Sequence, residues 1–258
     1  EVAGIGLGCP GPIDIEERLI HSTANLDLEN VNIQDELSEF NTPIFLENDA
    51  NAAALGELWF GAGQGADDII YITISTGIGA GIIIDGNIYH GSGDSAGEIG
   101  HMTVDPSSVI ECGCGNYGCW EALASGTALT RLGREAVESG EDTLITDLVE
   151  DKSEIDGAVV AKAAEDGDQV ALKVMDTIAE RLGIGLASLI NIFNPGRIVL
   201  GGGVSNAWSL LEDKVWETID QRAIKSLASE AEIILAELGS DVGVAGAVAT
   251  ALAHVKNK

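Results

Sequence analysis

Positive charge, aromatic residues, cysteine and proline are all scarce in this chain, and several of these shortages exclude something. Lys and Arg number 13 against 42 Asp and Glu, a formal net charge of -29 at pH 7. A chain of that sign repels nucleic-acid phosphates and anionic membrane surfaces, so no nucleic-acid and no membrane partner is expected. The acids are spread along the whole chain, which describes a solvated surface and not a disordered tail. Few lysines under a global acidic excess suit a protein working in high salt, where self-repulsion is screened, and a halophilic source is expected. Aromatics are 4% of the chain although 45% is hydrophobic, so the core has to be made from Ala, Val, Ile and Leu. No apolar run spans a bilayer: the longest, GIGLASLINIF at 183–193, stops at Asn194, Pro195 and Gly196. No basic segment precedes EVAGIGLGCPGP, so no secretion signal is read and a cytoplasmic location is expected. The first residues lack an initiator Met and already read as buried strand, the pattern of a fragment that begins inside a domain.

What is present is an alternation of strands and helices over 258 residues, enough for one large domain or two modest ones. Strands are expected at 2–8, 43–49, 69–75, 197–203 and 232–236, where short β-branched or glycine-bearing apolar runs end in turns. A glycine-rich turn is expected at 76–81, and a hairpin around Asp85, Gly86 and Asn87. Helices are expected in the Ala-rich stretch ending at Gly61 and over 126–138, 156–166, 168–193, 206–226 and 243–255. The pattern is α/β.

Four stretches carry candidate chemistry. In CGCGNYGCWE (112–121), Cys112, Cys114 and Cys119 gather three of the four cysteines in a glycine-rich turn. Without a secretion signal such clusters read as metal ligands. Zinc takes four tetrahedral donors, and His101 is the best fourth, with His90 the runner-up. Three thiolates and an imidazole leave no open position, so the zinc is expected to be structural. Cys9 stands apart and reads as a small core residue. In ENDANAAALGE (47–57), Asn48 and Asp49 fall where a strand passes into a helix, a common place for functional groups. Asp49 could serve as general base; the plainer alternative is that either residue caps the helix. ISTGIGAGI (74–82) and IVLGGGVSNA (198–207) place glycines after strands, where backbone N–H groups can approach phosphate or nucleotide. Neither is a Walker loop or a clean dinucleotide fingerprint. Glu98 and Glu121 flank the cysteine segment, in a chain where surface acids abound.

Together GCPGPID (8–14), LENDANAAALGE (46–57), STGIGAGI (75–82), GEIGHM (97–102), CGCGNYGCWE (112–121) and NPGRIVLGGGVS (194–205) resemble the ROK family of sugar kinases and repressors, in order and across the chain. The resemblance implies an actin-like ATPase (ribonuclease H-like) α/β fold of two domains around a cleft. Residues 1–53 with a helix at 244–258 would form the remainder of a small domain, and 54–243 a large one. It implies Asp49 as catalytic base. Asn48, Glu98, His101 and Glu121 would hold the sugar with Asp49. His101, Cys112, Cys114 and Cys119 would hold zinc. Thr76, Gly77 and Gly79 would form the second phosphate loop, and Gly201, Gly202 and Gly203 would lie near adenosine. The activity implied is ATP-dependent phosphorylation of the 6-hydroxyl of a hexose, glucose first, with Mg2+ accompanying ATP. Fructose or N-acetylhexosamine, an ADP or polyphosphate donor, a sugar-responsive repressor and an inactive zinc-stabilised sugar-binding scaffold stay open. A homodimer or homotetramer is expected. The family's first phosphate loop has no counterpart in these residues, and its Asn-Leu sugar loop is met only as NLDLEN (25–30), without the Trp.

Overall fold

A computed structural model describes residues 2–23 and 27–256. In chain order the elements are β1 (Ile5–Cys9), β2 (Ile13–Asp14), β3 (Leu19–Ser22), β4 (Glu29–Asn32), α1 (Ile33–Glu36), β5 (Ile44–Asn48) and α2 (Asp49–Phe60). There follow β6 (Ile69–Ile74), β7 (Ile78–Ile84), β8 (Asn87–Ile88), α3 (Trp120–Ala124), α4 (Gly126–Glu138), α5 (Gly157–Glu165) and α6 (Gln169–Phe193). The last are β9 (Arg197–Gly201), α7 (Trp208–Arg222), α8 (Lys225–Ala228), β10 (Glu232–Leu235) and α9 (Val242–Lys256). Among the described residues no helix is long and apolar enough to cross a membrane.

The central sheet runs β10-β9-β6-β7-β8, with β10, β9 and β6 parallel and β6, β7 and β8 antiparallel. Its middle strand, IIYITI, is apolar at nearly every position because both faces are covered. Ile70, Ile72 and Ile74 face the large core made with α3 to α7, while Ile69 and Tyr71 face a second core with α2 and Ala249 of α9. β1 and β5 pair in parallel, Cys9 opposite Asn48. β2, β3 and β4 form a small antiparallel sheet that the sequence pattern does not announce, since its strands are two to four residues long. Asn25 and Leu26 of the expected sugar loop lie outside the described residues.

Two expectations need correction. The glycine turn of 76–81 is shorter: Ser75–Gly77 turns, and Gly79 and Gly81 stand inside β7, Gly79 paired with Thr73. The helix expected at 206–226 breaks at Ala223, which is extended (φ -86, ψ 157). The cause is Asn191 on α6, whose side chain accepts from Ile224 N (2.8 Å) and donates to Arg222 O (3.3 Å), so it captures the chain and ends α7.

α2 is buried without interruption from Ala50 to Glu57. Its alanines follow from crowding on several sides, since only small side chains let α9, β1 and β7 approach together. A Cβ on Gly246 of α9 would stand 2.3 Å from Ala52 O. Glu57 is fully buried and accepts from the backbone N–H of Ala62, Glu237 and Leu238 at 2.8, 3.2 and 3.0 Å. A buried carboxylate is tolerable on those terms, and it fastens the end of α2 to the turn before α9.

Trp120 is fully buried, its indole N–H donating to Arg181 O at 2.9 Å. It packs against Gly185 of α6, where a Cβ would meet Trp120 Cε2 at 2.1 Å. Replacing an interior helical glycine by alanine ordinarily gains about 0.5–1 kcal/mol. At Gly185 the sign should reverse, with a loss of about 1–3 kcal/mol from overpacking. Gly243→Ala in α9, where nothing lies within 4 Å of the new Cβ, should be neutral or stabilising. Denaturant midpoints of both variants at one salt concentration check the pair of signs.

Candidate active site

The site begins where β5 passes into α2. Asn48 is extended (φ -62, ψ 146), and its Oδ1 accepts from Ala50 N (2.9 Å) and Asn51 N (3.2 Å). It is therefore the helix cap, the plainer of the two readings, with its Nδ2 turned toward Gly11. Asp49 is the first helical residue and is exposed, its Oδ1 accepting from Ala50 N at 2.8 Å. The cap leaves that carboxylate at the positive end of a buried twelve-residue helix, facing outward.

Glu98 and His101 sit on a 3-10 turn laid against β7, whose pairing with β8 is confined to Ile83 and Ile84. The approach requires two glycines. A Cβ on Gly97 (φ +96) would meet Ala80 O at 2.6 Å, and one on Gly100 would meet Ile78 O at 2.3 Å. The spacing G-E-I-G-H is thus dictated by contact with the strand. One residue past Ala80 on β7, Gly81 would place a Cβ 2.7 Å from Ala50 O, so the same strand carries the start of α2.

The ligand atoms of His101, Cys112, Cys114 and Cys119 all lie within 4.8 Å of one another. Cys114 and Cys119 sulfurs are 3.8 Å apart, and His101 Nδ1 is 3.5 Å from Cys112 Sγ. Two thiolates at about 2.3 Å from a tetrahedral zinc stand about 3.8 Å apart, so the donor set and its spacing fit that ion. His90, the other candidate ligand, is elsewhere: its Nε2 binds Glu47. Burial, reinforced by hydrogen bonds with Cys114 and Cys112, pushes the Cys119 thiol up to about 12. Burial also raises Cys112, whereas backbone donation from Asn116 lowers exposed Cys114. His101 turns its other nitrogen away, with Nε2 3.7 Å from Glu98 Oε2.

Glu121 follows the anchored Trp120. Its Oε2 accepts from Ile78 N at 2.9 Å, and Oε1 lies 3.9 Å from Cys112 Sγ. A Cβ on Gly77 would stand 2.2 Å from Glu121 Oε2. The carboxylate therefore joins the cysteine segment to the Ser75–Gly77 turn. On its other side that turn is tied to α4: Ser75 O accepts from Gly126 N (2.7 Å) and Thr76 O from Thr127 Oγ1 (2.7 Å). Beyond it lies a cavity of about 640 Å3 lined by Thr76, Thr127, Lys162, Gly203 and Asn206 among others. Of the glycines expected around a nucleotide, only Gly203 lines this cavity. Gly77 serves the Glu121 contact. Gly201 and Gly202 are required by close packing, a Cβ meeting Tyr71 OH at 2.6 Å and Ile74 O at 2.4 Å. Cys9 is buried with Ile13, Ile20 and Leu46, as expected of a core residue.

Sequence reasoning passed over Glu47, although an acid inside the apolar run PIFLEN was a visible signal. Glu47 is 1% exposed and binds His90 Nε2 at 2.8 Å through Oε2. The His90 pKa is raised, first by that hydrogen bond, against burial, with the charges of Glu47 and Asp94 adding. A raised imidazole value means that the folded state holds the proton more tightly. The stability gained is full below the unfolded value of about 6.5 and is lost as pH rises through the folded one. Unfolding midpoints across pH should fall over that window at fixed salt. His90→Gln should flatten the slope; an unchanged slope would assign the titration to another group.

With this geometry in hand, comparison with known proteins is informative. The chain is 40% identical to a glucokinase of Halalkalibacterium halodurans over 247 residues, 95% of this chain and 75% of that protein. It is 36% identical to a xylose repressor of Caldicellulosiruptor bescii over 256 residues, 98% of this chain and 63% of the repressor. A ROK family glucokinase from Streptomyces griseus, solved in complex with glucose and AMPPNP, superposes with a TM-score of 0.83 at 36% identity, over 96% of this chain and 80% of that one. The fold is that of the ROK sugar kinases, the actin-like ATPase fold. The ROK family pattern matches residues 1–254, and the chain belongs to the ROK family.

Proposed function

We propose that this chain is the catalytic body of an ATP-dependent hexose kinase acting on the 6-hydroxyl, with glucose as the sugar. The observation that carries the reading is the position of the Ser75–Gly77 turn. Glu121 holds it from the side of Glu98 and His101, and the 640 Å3 cavity opens on the other side. A phosphoryl group crossing from a nucleotide in the cavity to a sugar beside Glu98 and His101 would pass that turn. The named relatives support the kinase class, and the Streptomyces griseus enzyme with glucose and AMPPNP supports the choice of ligands.

Asn48, Glu98, His101 and Glu121 bind the sugar hydroxyls, and Asp49 takes the proton of the primary hydroxyl as its oxygen attacks the γ-phosphorus. The new O–P bond forms as the β–γ bridging bond breaks, and its electron pair leaves with ADP. Thr76 and the N-terminus of α4, which line the cavity, would face the nucleotide's phosphates. Mg2+ bound with ATP supplies charge neutralisation at the phosphate oxygens. His101, Cys112, Cys114 and Cys119 would hold a structural zinc, and ligation through Nδ1 would fix the imidazole with Nε2 toward the sugar.

The xylose repressor similarity, which spans 98% of this chain, supports a second reading as a sugar-responsive regulator. Turnover separates the two. ADP release by the full-length protein, in concentrated KCl with Mg-ATP, is expected to depend on glucose. It should exceed that with fructose, N-acetylglucosamine or N-acetylmannosamine. Asp49→Asn should lower it by about 10²-fold or more. A folded, zinc-loaded protein without sugar-dependent turnover would remove the kinase reading.

A further inference from the structure

We propose that His90 is a positioning residue for the hexose subsite: its hydrogen bond to Glu47 ties the loop that delivers Glu98 and His101 to the strand end that delivers Asn48 and Asp49. The proposal rests on the hexose reading for its ligand, though not for its geometry.

Glu47 is the penultimate residue of β5, and its carboxylate is buried among three donors. Oε1 accepts from Asn48 N and from Asn51 Nδ2, both at 3.0 Å, and Oε2 from His90 Nε2 at 2.8 Å. The first two donors belong to the same strand–helix junction. The third comes from a distant segment, so the His90 bond adds a direct side-chain link between two parts of the site. An ionised carboxylate accepts only, which fixes the ring proton on Nε2. The backbone of His90 contributes as well, since its carbonyl accepts from Ala96 N at 3.0 Å and closes the neck of the 91–95 loop. Gly97 and Glu98 follow directly. The loop's tip is also held, weakly, by Asp94 Oδ2 on Ile15 N at 3.4 Å.

Of the amide donors in the surroundings, Asn87 Nδ2 is given to Asp85 O at 2.8 Å. Leu55 and Trp59 of α2, Gly86, and Asn87 and Ile88 of β8 line the recess beside the pair. The titratable groups facing it are Asp94 from the loop and His254 from α9. His254 is engaged with Thr250 O through Nδ1 (2.9 Å) and stacked on Phe45 at 4.7 Å. Losing His90 leaves a buried carboxylate oxygen unpaired and the loop neck untied.

The test compares wild type, His90→Leu and His90→Gln, whose amide can donate at the reach of Nε2. In His90→Leu, amides 91–101 should lose protection against hydrogen exchange. The glucose dissociation constant should rise about tenfold or more, with AMPPNP affinity unchanged, and His90→Gln should restore both properties. Unchanged exchange and glucose affinity in His90→Leu, no rescue by Gln, or a parallel loss of AMPPNP binding would each overturn the proposal. If wild type binds no hexose, the hexose reading fails, and the latch is judged by the exchange data alone. Should His90→Leu not fold, nitrogen NMR of wild-type His90 decides: a proton on Nε2 at high pH is expected, and the Nδ1 tautomer contradicts the link.

Discussion

Four electron-pair donors converge on one point between two loops, and the half of the site that carries Glu98, His101 and Glu121 hangs on that convergence. His101 and the three cysteines come from two segments, a 3-10 turn at 99–101 and a glycine-rich loop at 112–119, which are also joined by an antiparallel bridge between Thr103 and Cys119. The two buried thiols, Cys112 and Cys119, resist losing their protons, whereas exposed Cys114 does not. A divalent cation would reverse that preference and draw the four together. Two further anchors make the arrangement stiff. Trp120, one residue past Cys119, is keyed into α6 at Gly185, and Glu121, one residue further, binds the backbone of Ile78. The same ten residues therefore supply three of the four donors, a core contact and the edge of the Ser75–Gly77 turn.

The composition makes sense in this light. The site requires backbone against backbone at several points, the 97–100 turn on β7 and α2 on α9 among them, and only glycine and alanine permit that spacing. Large side chains are used sparingly and as keys. The acidic excess stays largely out of this machinery. The two buried glutamates, Glu47 and Glu57, are each satisfied by three donors, whereas Asp49 and Glu98 remain open to solvent or ligand.

Much of this was legible beforehand. The strands around Ile72 and Val199, the long helix through Leu186 and the grouping of His101 with three cysteines all follow from periodicity and donor chemistry. The miscues have definite causes. Gly79 and Gly81 look like turn residues, but they serve to let α2 close on β7. Asn191 ends α7 from another helix, a contact no local pattern contains. The small sheet of β2 to β4 is too short for any alternation to show. The cap reading for Asn48 becomes visible only once Ala50 and Asn51 are seen donating to its Oδ1. The Glu47–His90 pair joins positions 43 residues apart, so sequence could flag the odd acid but not its partner.

The account's central claim is that the metal-binding cluster sets the sugar contacts. The most direct measurement is glucose affinity, by calorimetry, of one preparation zinc-loaded, chelator-stripped and reloaded, with folding followed by circular dichroism. The account predicts one zinc per chain, lost glucose binding in the stripped but still folded protein, and recovery on reloading. Undiminished glucose affinity in a folded, zinc-free protein would contradict it.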